Sequence, residues 1–278
     1  MSTGIGDAVK RKEDKRFTTG KGKYTDDVRN DNQAYAAFVR SPHAHARVTG
    51  IDASAALAMD GVIDVLNGAQ LTGDGIGNII CGWAVTSKDG SPMNMGAWSA
   101  LATEKVRYVG DAVAVVIAET QALARIAAEA VEVSYEQLSV AASIAAAMED
   151  DAPEIHENAP GNLIYDWEIG DEAATDAGLA GAAHVTTLDV INNRLSPNPM
   201  EPRSAVATYD DSEEHYTLYT TSQNPHVARL VLSAFYNVAP EHKLRVIARC
   251  RGWFWGENLY LSRRDHLPLG VYENQPLD

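Results

Sequence analysis

Few side chains in this sequence stand at spacings that do chemistry unaided. His43 and His45 are two apart, so on a strand they would share one face. With no acidic or thiol partner nearby, they read as ordinary hydrogen-bonded histidines rather than metal ligands. Gly73-Asp74-Gly75-Ile76-Gly77 has the flavour of a dinucleotide loop, yet it neither follows a clear strand nor opens a clear helix, and it reads as a surface loop. Gly20-Lys21-Gly22-Lys23 lacks phosphate-loop spacing and reads as a turn. Asp26-Asp27 and Glu149-Asp150-Asp151 read as solvated charge. Two cysteines, Cys81 and Cys250, make neither a metal tetrad nor a disulfide framework. No Ser/His/Asp arrangement announces a nucleophile. Spacing alone leads only to a soluble, acidic α+β protein.

The elements that would position chemistry are clearer. The 278 residues leave room for two domains, and 45% hydrophobic with 22% charged residues is a globular composition. A net charge of −15 repels phosphate backbones, which argues against a nucleic-acid partner. No apolar run is long enough to span a bilayer. Met1 to Lys15 is polar, without the apolar stretch of a signal peptide, and a cytoplasmic protein is expected. Met1 to Thr18 is expected to be loosely ordered. Strands are expected at Ala34 to Val39, Val62 to Leu66, within Val106 to Ala118, and at Val131 to Tyr135; a short capped helix at Asp52 to Met59; and an amphipathic helix at Thr120 to Ala130. Glycine, asparagine and proline mark Thr72 to Ala97 as irregular. Glu149 to Pro160 is acidic and proline-containing, a candidate linker. Beyond it, strands are expected at Val185 to Asn192, Ala205 to Tyr209, Tyr216 to Thr221 and Leu244 to Ala248, with a helix from Pro225 to Phe235.

Five longer segments, in order, carry a resemblance that spacing does not. They are Gly20 to Val28 (GKGKYTDDV), Arg40 to Arg47 (RSPHAHAR), Val106 to Val116 (VRYVGDAVAVV), Ser196 to Arg203 (SPNPMEPR) and Thr220 to His226 (TTSQNPH). Together they resemble the large, molybdopterin-binding subunit of the xanthine dehydrogenase, aldehyde oxidase and aerobic carbon monoxide dehydrogenase family. The resemblance implies an α+β architecture: a polar segment at 1–17, an a/b hammerhead domain at 18–137, a linker at 138–160, and a partial first molybdenum-cofactor-binding domain at 161–248. It implies an oxidoreductase that hydroxylates an aldehyde or N-heterocycle, or oxidises carbon monoxide, with oxygen from water. The implied cofactor is molybdenum-molybdopterin, in its cytosine dinucleotide form. The implied partners are an iron-sulfur small subunit and an FAD-binding medium subunit. Gln223 matches the family glutamine whose amide donates a hydrogen bond to an oxo ligand of the metal, a role that adds no titrating proton. The alternative is a glutamine that ties a strand end to its neighbouring loop. Glu201 lies in a family motif and is read as structural, and no metal ligand is assigned.

The resemblance breaks after Ala248. There the family continues with Pro-Asp-Val-Gly-Gly-Gly-Phe-Gly, whose glycines let backbone amides approach the cofactor. This chain reads Arg249-Cys250-Arg251-Gly252-Trp253-Phe254-Trp255-Gly256 instead. Read one base later, the single tryptophan codon TGG followed by a phenylalanine codon gives GGT, and followed by a glycine codon gives GGG. Both are glycine. Permitted codons at the other positions restore Asp-Val-Gly-Gly-Gly-Phe-Gly. Residues 249–278 therefore read as an out-of-frame tail. On this reading the family's catalytic base falls beyond the chain, and the chain as translated is expected to be an inactive fragment that does not retain the cofactor. A non-catalytic subunit-interaction module and a pseudogene product are the rival readings.

Overall fold

The computed structural model describes residues 4–6, 8, 10–96, 98–192 and 203–248. Glu201, most of the Ser196 to Arg203 segment, and the tail from Arg249 onward lie outside the described residues.

The N-terminal unit is two three-stranded antiparallel sheets. One has the order β1 (Tyr35–Arg40), β5 (Ala112–Ala118), β3 (Val62–Asn67); the other has the order β4 (Lys105–Val106), β2 (Ala46–Asp52), β6 (Glu132–Gln137). β5 is central because its run Ala-Val-Ala-Val-Val-Ile-Ala is apolar on both faces, as a strand covered on both sides must be. Ala114 and Val116 pack with Ala56 and Ala127 from the short helix α2 (Ser54–Leu57) and from α4 (Gln121–Glu129), while Val113 packs with Ala46, Ala102 and Val106. Thr120 starts α4 by accepting the Leu123 N–H at 3.2 Å. Alanines at 124 and 127 form its buried face, small enough for the helix to lie close to the sheet.

Between β3 and β4, α3 (Gly68–Gly73) opens with a reciprocal capping box between Asn67 and Gln70. The long irregular segment expected from Thr72 follows it. Residues 153–166 run back along this unit rather than away from it. Glu157 pairs with Lys105 and Arg107, Arg107 donates to the Ile155 carbonyl at 2.9 Å, and the His156 ring stacks on Trp98. A short helix α5 (Ile144–Ala147) precedes this strap, and α6 (Glu172–Ala180) follows it with no buried residue.

The second unit is a sheet ordered β7 (Ala205–Asp210), β8 (His215–Thr220), β9 (Leu244–Ile247), with α7 (Pro225–Ala234) packed on it. β7 and β8 form an antiparallel hairpin; β8 and β9 are parallel, with α7 lying in the connection between them. Ala228 and Leu232 are the buried face of α7. One core joins the two units: Leu71, Leu101 and Val115 from the first pack in a single cluster with Leu218, Leu232, Tyr236 and Leu244 from the second.

Several expectations need correction. Val185 to Asn192 is not a strand: it has no strand neighbour among the described residues and its side chains are exposed. Asp14–Thr18 forms a helical turn (α1) inside the segment expected to be loose, with Arg11 and Asp14 joined at its start. Gly73 to Gly77 is exposed through Gly75, as a surface loop would be, but its end is packed. The Gly77 N–H donates to the Tyr236 carbonyl at 3.0 Å, and a Cβ at Gly77 would lie 2.0 Å from the Phe235 carbonyl oxygen. A side chain there is incompatible with this seam between the units. His43 and His45 precede β2 instead of sharing a strand face. His45 is buried with Nδ1 2.7 Å from the Ser139 carbonyl, and His43 meets Tyr135 edge-on.

Candidate functional site

Pairing of the second sheet decides where the family-like segments meet. β7 begins where β8 ends, with Ala205 opposite Thr220. β9 runs parallel to β8, with Ile247 opposite Tyr219, so both strands finish at the same edge. The chain thus enters the sheet from Ser196 to Arg203, turns through Thr220 to His226, and leaves β9 toward Arg249, all at one edge. Carboxyl ends of adjacent parallel strands are where open sheets bind ligands. Of the residues singled out in advance, this edge gathers Gln223, the end of the Ser196 to Arg203 segment, and the point where the glycine motif is replaced. His43, His45 and Gly73 to Gly77 lie in or against the first unit and are not brought to it.

The edge is held by a small hydrogen-bond clamp. Thr221 Oγ1 accepts the Ser204 N–H at 3.0 Å, while Thr221 N–H and Thr220 Oγ1 both donate to the Ser204 carbonyl at 3.1 Å. Both threonines are buried. Ser222 Oγ then accepts the Asn224 N–H at 3.1 Å, turning the chain into α7. Pro225, with its fixed φ and no N–H, occupies the first helical turn. Between the clamp and the proline, Gln223 is exposed. Sequence reading missed the clamp residues Ser204, Thr220 and Thr221; the run of hydroxyl residues before the glutamine was their only trace.

The donor chemistry suits an electron-rich, anionic group. The Gln223 amide offers two N–H donors. Asn224 makes no side-chain cap, so the first N–H groups of α7, after Pro225, have no cap from it and carry the positive end of the helix dipole. Residues 203–208 and 215–231 contain no aspartate or glutamate in a protein of net charge −15. Among the described residues of this unit, the acidic ones are Asp210, Asp211, Glu213 and Glu214 in the hairpin turn and Glu241 just before β9, all toward the other end of the sheet. Asp210 is held below its usual carboxylate range by hydrogen bonds from Ser212 and Glu213. Among the described residues no group of histidines, cysteines and carboxylates is placed to hold a metal ion.

Residues 19–139 match the family model for the aldehyde oxidase and xanthine dehydrogenase a/b hammerhead domain, and residues 155–254 match that for the molybdopterin cofactor-binding domain. The chain belongs to the aldehyde oxidase and xanthine dehydrogenase family. The two units of the fold are accordingly the hammerhead domain and part of the molybdopterin-binding domain of a molybdopterin-dependent oxidoreductase family. The carbon monoxide dehydrogenase large chain of Afipia carboxidovorans is 38% identical over 276 residues, covering 92% of this chain and 32% of that protein. The nicotine 6-hydroxylase large subunit of Paenarthrobacter nicotinovorans is 33% identical over 265 residues, covering 95% of this chain and 31% of that protein. The crystal structure of Cu,Mo-CO dehydrogenase in its carbon monoxide reduced state superposes with a TM-score of 0.82 at 35% identity, over 98% of this chain and 35% of that one. The chain therefore spans about a third of the length of the relatives it matches. Both relatives are large subunits or chains by name, which places them in assemblies of several subunits. Among the described residues no helix is long and apolar enough to cross a membrane.

Proposed function

We propose that this chain is the hammerhead and first cofactor-domain portion of a cytoplasmic molybdenum hydroxylase large subunit, with residues 249–278 translated out of frame. The observation that carries the proposal is the shared edge: the start of β7 just after Arg203, the turn holding Gln223 after β8, and the end of β9 just before Ala248 lie side by side. When bound, the molybdopterin cofactor, in its cytosine dinucleotide form, supplies transfer of water-derived oxygen to the substrate and takes up two electrons. This chain's own part is narrower. Gln223 donates its amide hydrogen to an electron-rich oxygen on the cofactor, the Ser204–Thr221 clamp keeps that amide at the edge, and the first turn of α7 adds backbone donors. Iron-sulfur and FAD-binding subunits are the proposed partners for the electrons.

Trp253 and Trp255 stand at positions where the family has glycine, and an indole in place of a hydrogen would take the space through which a backbone amide reaches the cofactor. As translated, the chain is proposed to be inactive. The test is the nucleotide sequence through codon 258. A one-base re-reading should restore the Gly-Gly-Gly-Phe-Gly run; a gene in which neither shifted frame yields it would overturn the out-of-frame reading.

A further inference from the structure

The strap that returns along the hammerhead domain is seated through one histidine. The His156 ring stacks on Trp98, with centroids 5.8 Å apart and planes inclined by 30°. It also fills the space over Gly96, where an added Cβ would lie 2.7 Å from Nδ1. Arg107, just after β4, grips the chain on both sides of this ring. Its Nε donates to the Ile155 carbonyl at 2.9 Å, and its guanidinium meets the Glu157 carboxylate at 3.0 Å. Lys105 pairs with the other Glu157 oxygen. Bonds around the turn complete the seat. Asn162 Oδ1 accepts the Ile155 N–H at 2.9 Å, the His156 carbonyl accepts the Ala159 N–H at 2.9 Å, and Asn158 donates to the Met95 carbonyl.

Charge at the seat is set against a proton on the ring. Arg107 and Glu157 face it, Lys105 is already on Glu157, and buried His45 approaches from the loop before β2. Asn94, Met95, Gly96 and Trp98 bring no titratable side chain. The buried Asp111 is tied to the Arg107 N–H at 3.1 Å. Partial burial and the Arg107 charge, with His45 adding to them, hold His156 below its ordinary value of 6.5 against the pull of Glu157. Glu157 is itself held at about 2, so its ion pairs persist through the range in which a histidine titrates.

We propose that the strap is an acid-released latch, closed while the His156 ring is neutral and freed from Trp98 and Gly96 when that ring takes up a proton. Protonation adds a cation beside Arg107 and Lys105, which already share the Glu157 carboxylate, and the close seat over Gly96 keeps it there. An open strap gives the charged ring to water instead. Closing therefore contributes in full above about pH 6.5 and weakens as pH falls below it, because the open strap binds the proton that the closed one excludes. Residues 155–254 match the cofactor-binding domain, so the latch holds the first stretch of that domain to the hammerhead. It depends neither on the reading frame of the tail nor on a bound cofactor.

Amide hydrogen exchange of the full chain tests it, with protection factors corrected for intrinsic rates at about pH 7.5 and about pH 5.5. Protection across 155–159 should fall by about five- to tenfold on acidification, tenfold being about the ceiling for a ring of ordinary value 6.5 that the closed state keeps neutral, while β5 stays unchanged. His156→Phe, which keeps a flat ring on Trp98, should hold the strap equally at both pH values, and His156→Gln should also lose the pH dependence. In the parent chain the His156 imidazole resonance should titrate below 6.5 in step with the loss of protection. That readout keeps the test decisive should either variant leave the strap open throughout. Parent protection indifferent to pH, a fall of equal size in both variants, a fall shared by β5, or a ring titrating at or above 6.5 would each overturn the proposal.

Discussion

Gly77 is where the joining of the two units can be tested most sharply. It lies in the loop after α3 and touches the end of α7 with no room to spare. A Cβ added there would sit 2.0 Å from the Phe235 carbonyl oxygen, 3.1 Å from its carbonyl carbon and 3.4 Å from the Tyr236 Cα. All three are backbone atoms, so no side chain can swing away to relieve the clash. Gly77→Ala therefore has to push the loop from α7, which costs about 1–3 kcal/mol as overpacking. Moving the loop also weakens the Gly77 N–H bond to the Tyr236 carbonyl, worth about 1 kcal/mol. Against this, alanine restricts the unfolded chain and returns about 0.4–1 kcal/mol. The net expectation is a loss of about 1–3.5 kcal/mol. Gly73→Ala is the control, because a Cβ there meets nothing within 4 Å. Urea unfolding of the full chain, followed by tryptophan fluorescence, measures both. Equal midpoints for Gly77→Ala and Gly73→Ala would refute the close seam and with it the single shared core.

Leu232→Ala, at a fully buried position in the shared core, should cost about 2–5 kcal/mol and lower the unfolding midpoint of the hammerhead signal together with that of the second unit. Two separate transitions would contradict a common core. Thr221→Ala removes the acceptor of the Ser204 N–H and should cost about 1–2 kcal/mol and speed exchange of the Ser204 amide, whereas Thr221→Ser should restore both. Unchanged exchange in Thr221→Ala would show that the clamp does not hold the edge. Glu157 is held at about 2, chiefly by Lys105, then by a backbone N–H, with Arg107 adding to it. Its folded pKa lies below the ordinary glutamate value of 4.5, so its contribution is complete above about pH 4.5 and disappears as pH falls toward 2. The carboxylate is largely exposed, which limits the effect to about 0.2–1 kcal/mol. Glu157→Gln should flatten the acid limb of stability in that window and leave the pH dependence between 6 and 8 as it is in the parent chain; an identical acid limb would sink the assignment.

What could be read in advance follows the range of the forces involved. β5, α4, β7, β8, α7 and β9 are visible in sequence because each carries its periodicity and stop signals within its own residues. β2 is not: Ala-Arg-Val-Thr-Gly-Ile-Asp has a central glycine and a register shift between Val48 and Gly50, and it is a strand only because β4 and β6 flank it. α3 was overlooked although its Asn67 and Gln70 capping box is a local signal; α6 likewise has Asp171 accepting the Ala174 N–H. Val185 to Asn192 shows the converse, a strand pattern without a partner among the described residues. Gly77 read as surface because glycine-rich loops are usually solvated; only the distant end of α7 explains why no side chain fits. At the site, Gln223 came from resemblance. Its placement beside the entry to β7 and the exit of β9 depends on the parallel pairing of β8 with β9, which no local pattern encodes.

The central claim is that this edge is a cofactor edge spoiled by its reading frame. Molybdenum per polypeptide, measured by elemental mass spectrometry, tests it most directly. The chain as translated and a version with the frame restored from codon 249 would each be co-expressed with the remaining cofactor-domain sequence and the iron-sulfur and flavin subunits. The account predicts close to one molybdenum per frame-restored chain and none with Trp253, Phe254 and Trp255 in place. Stoichiometric molybdenum in the chain as translated would contradict it.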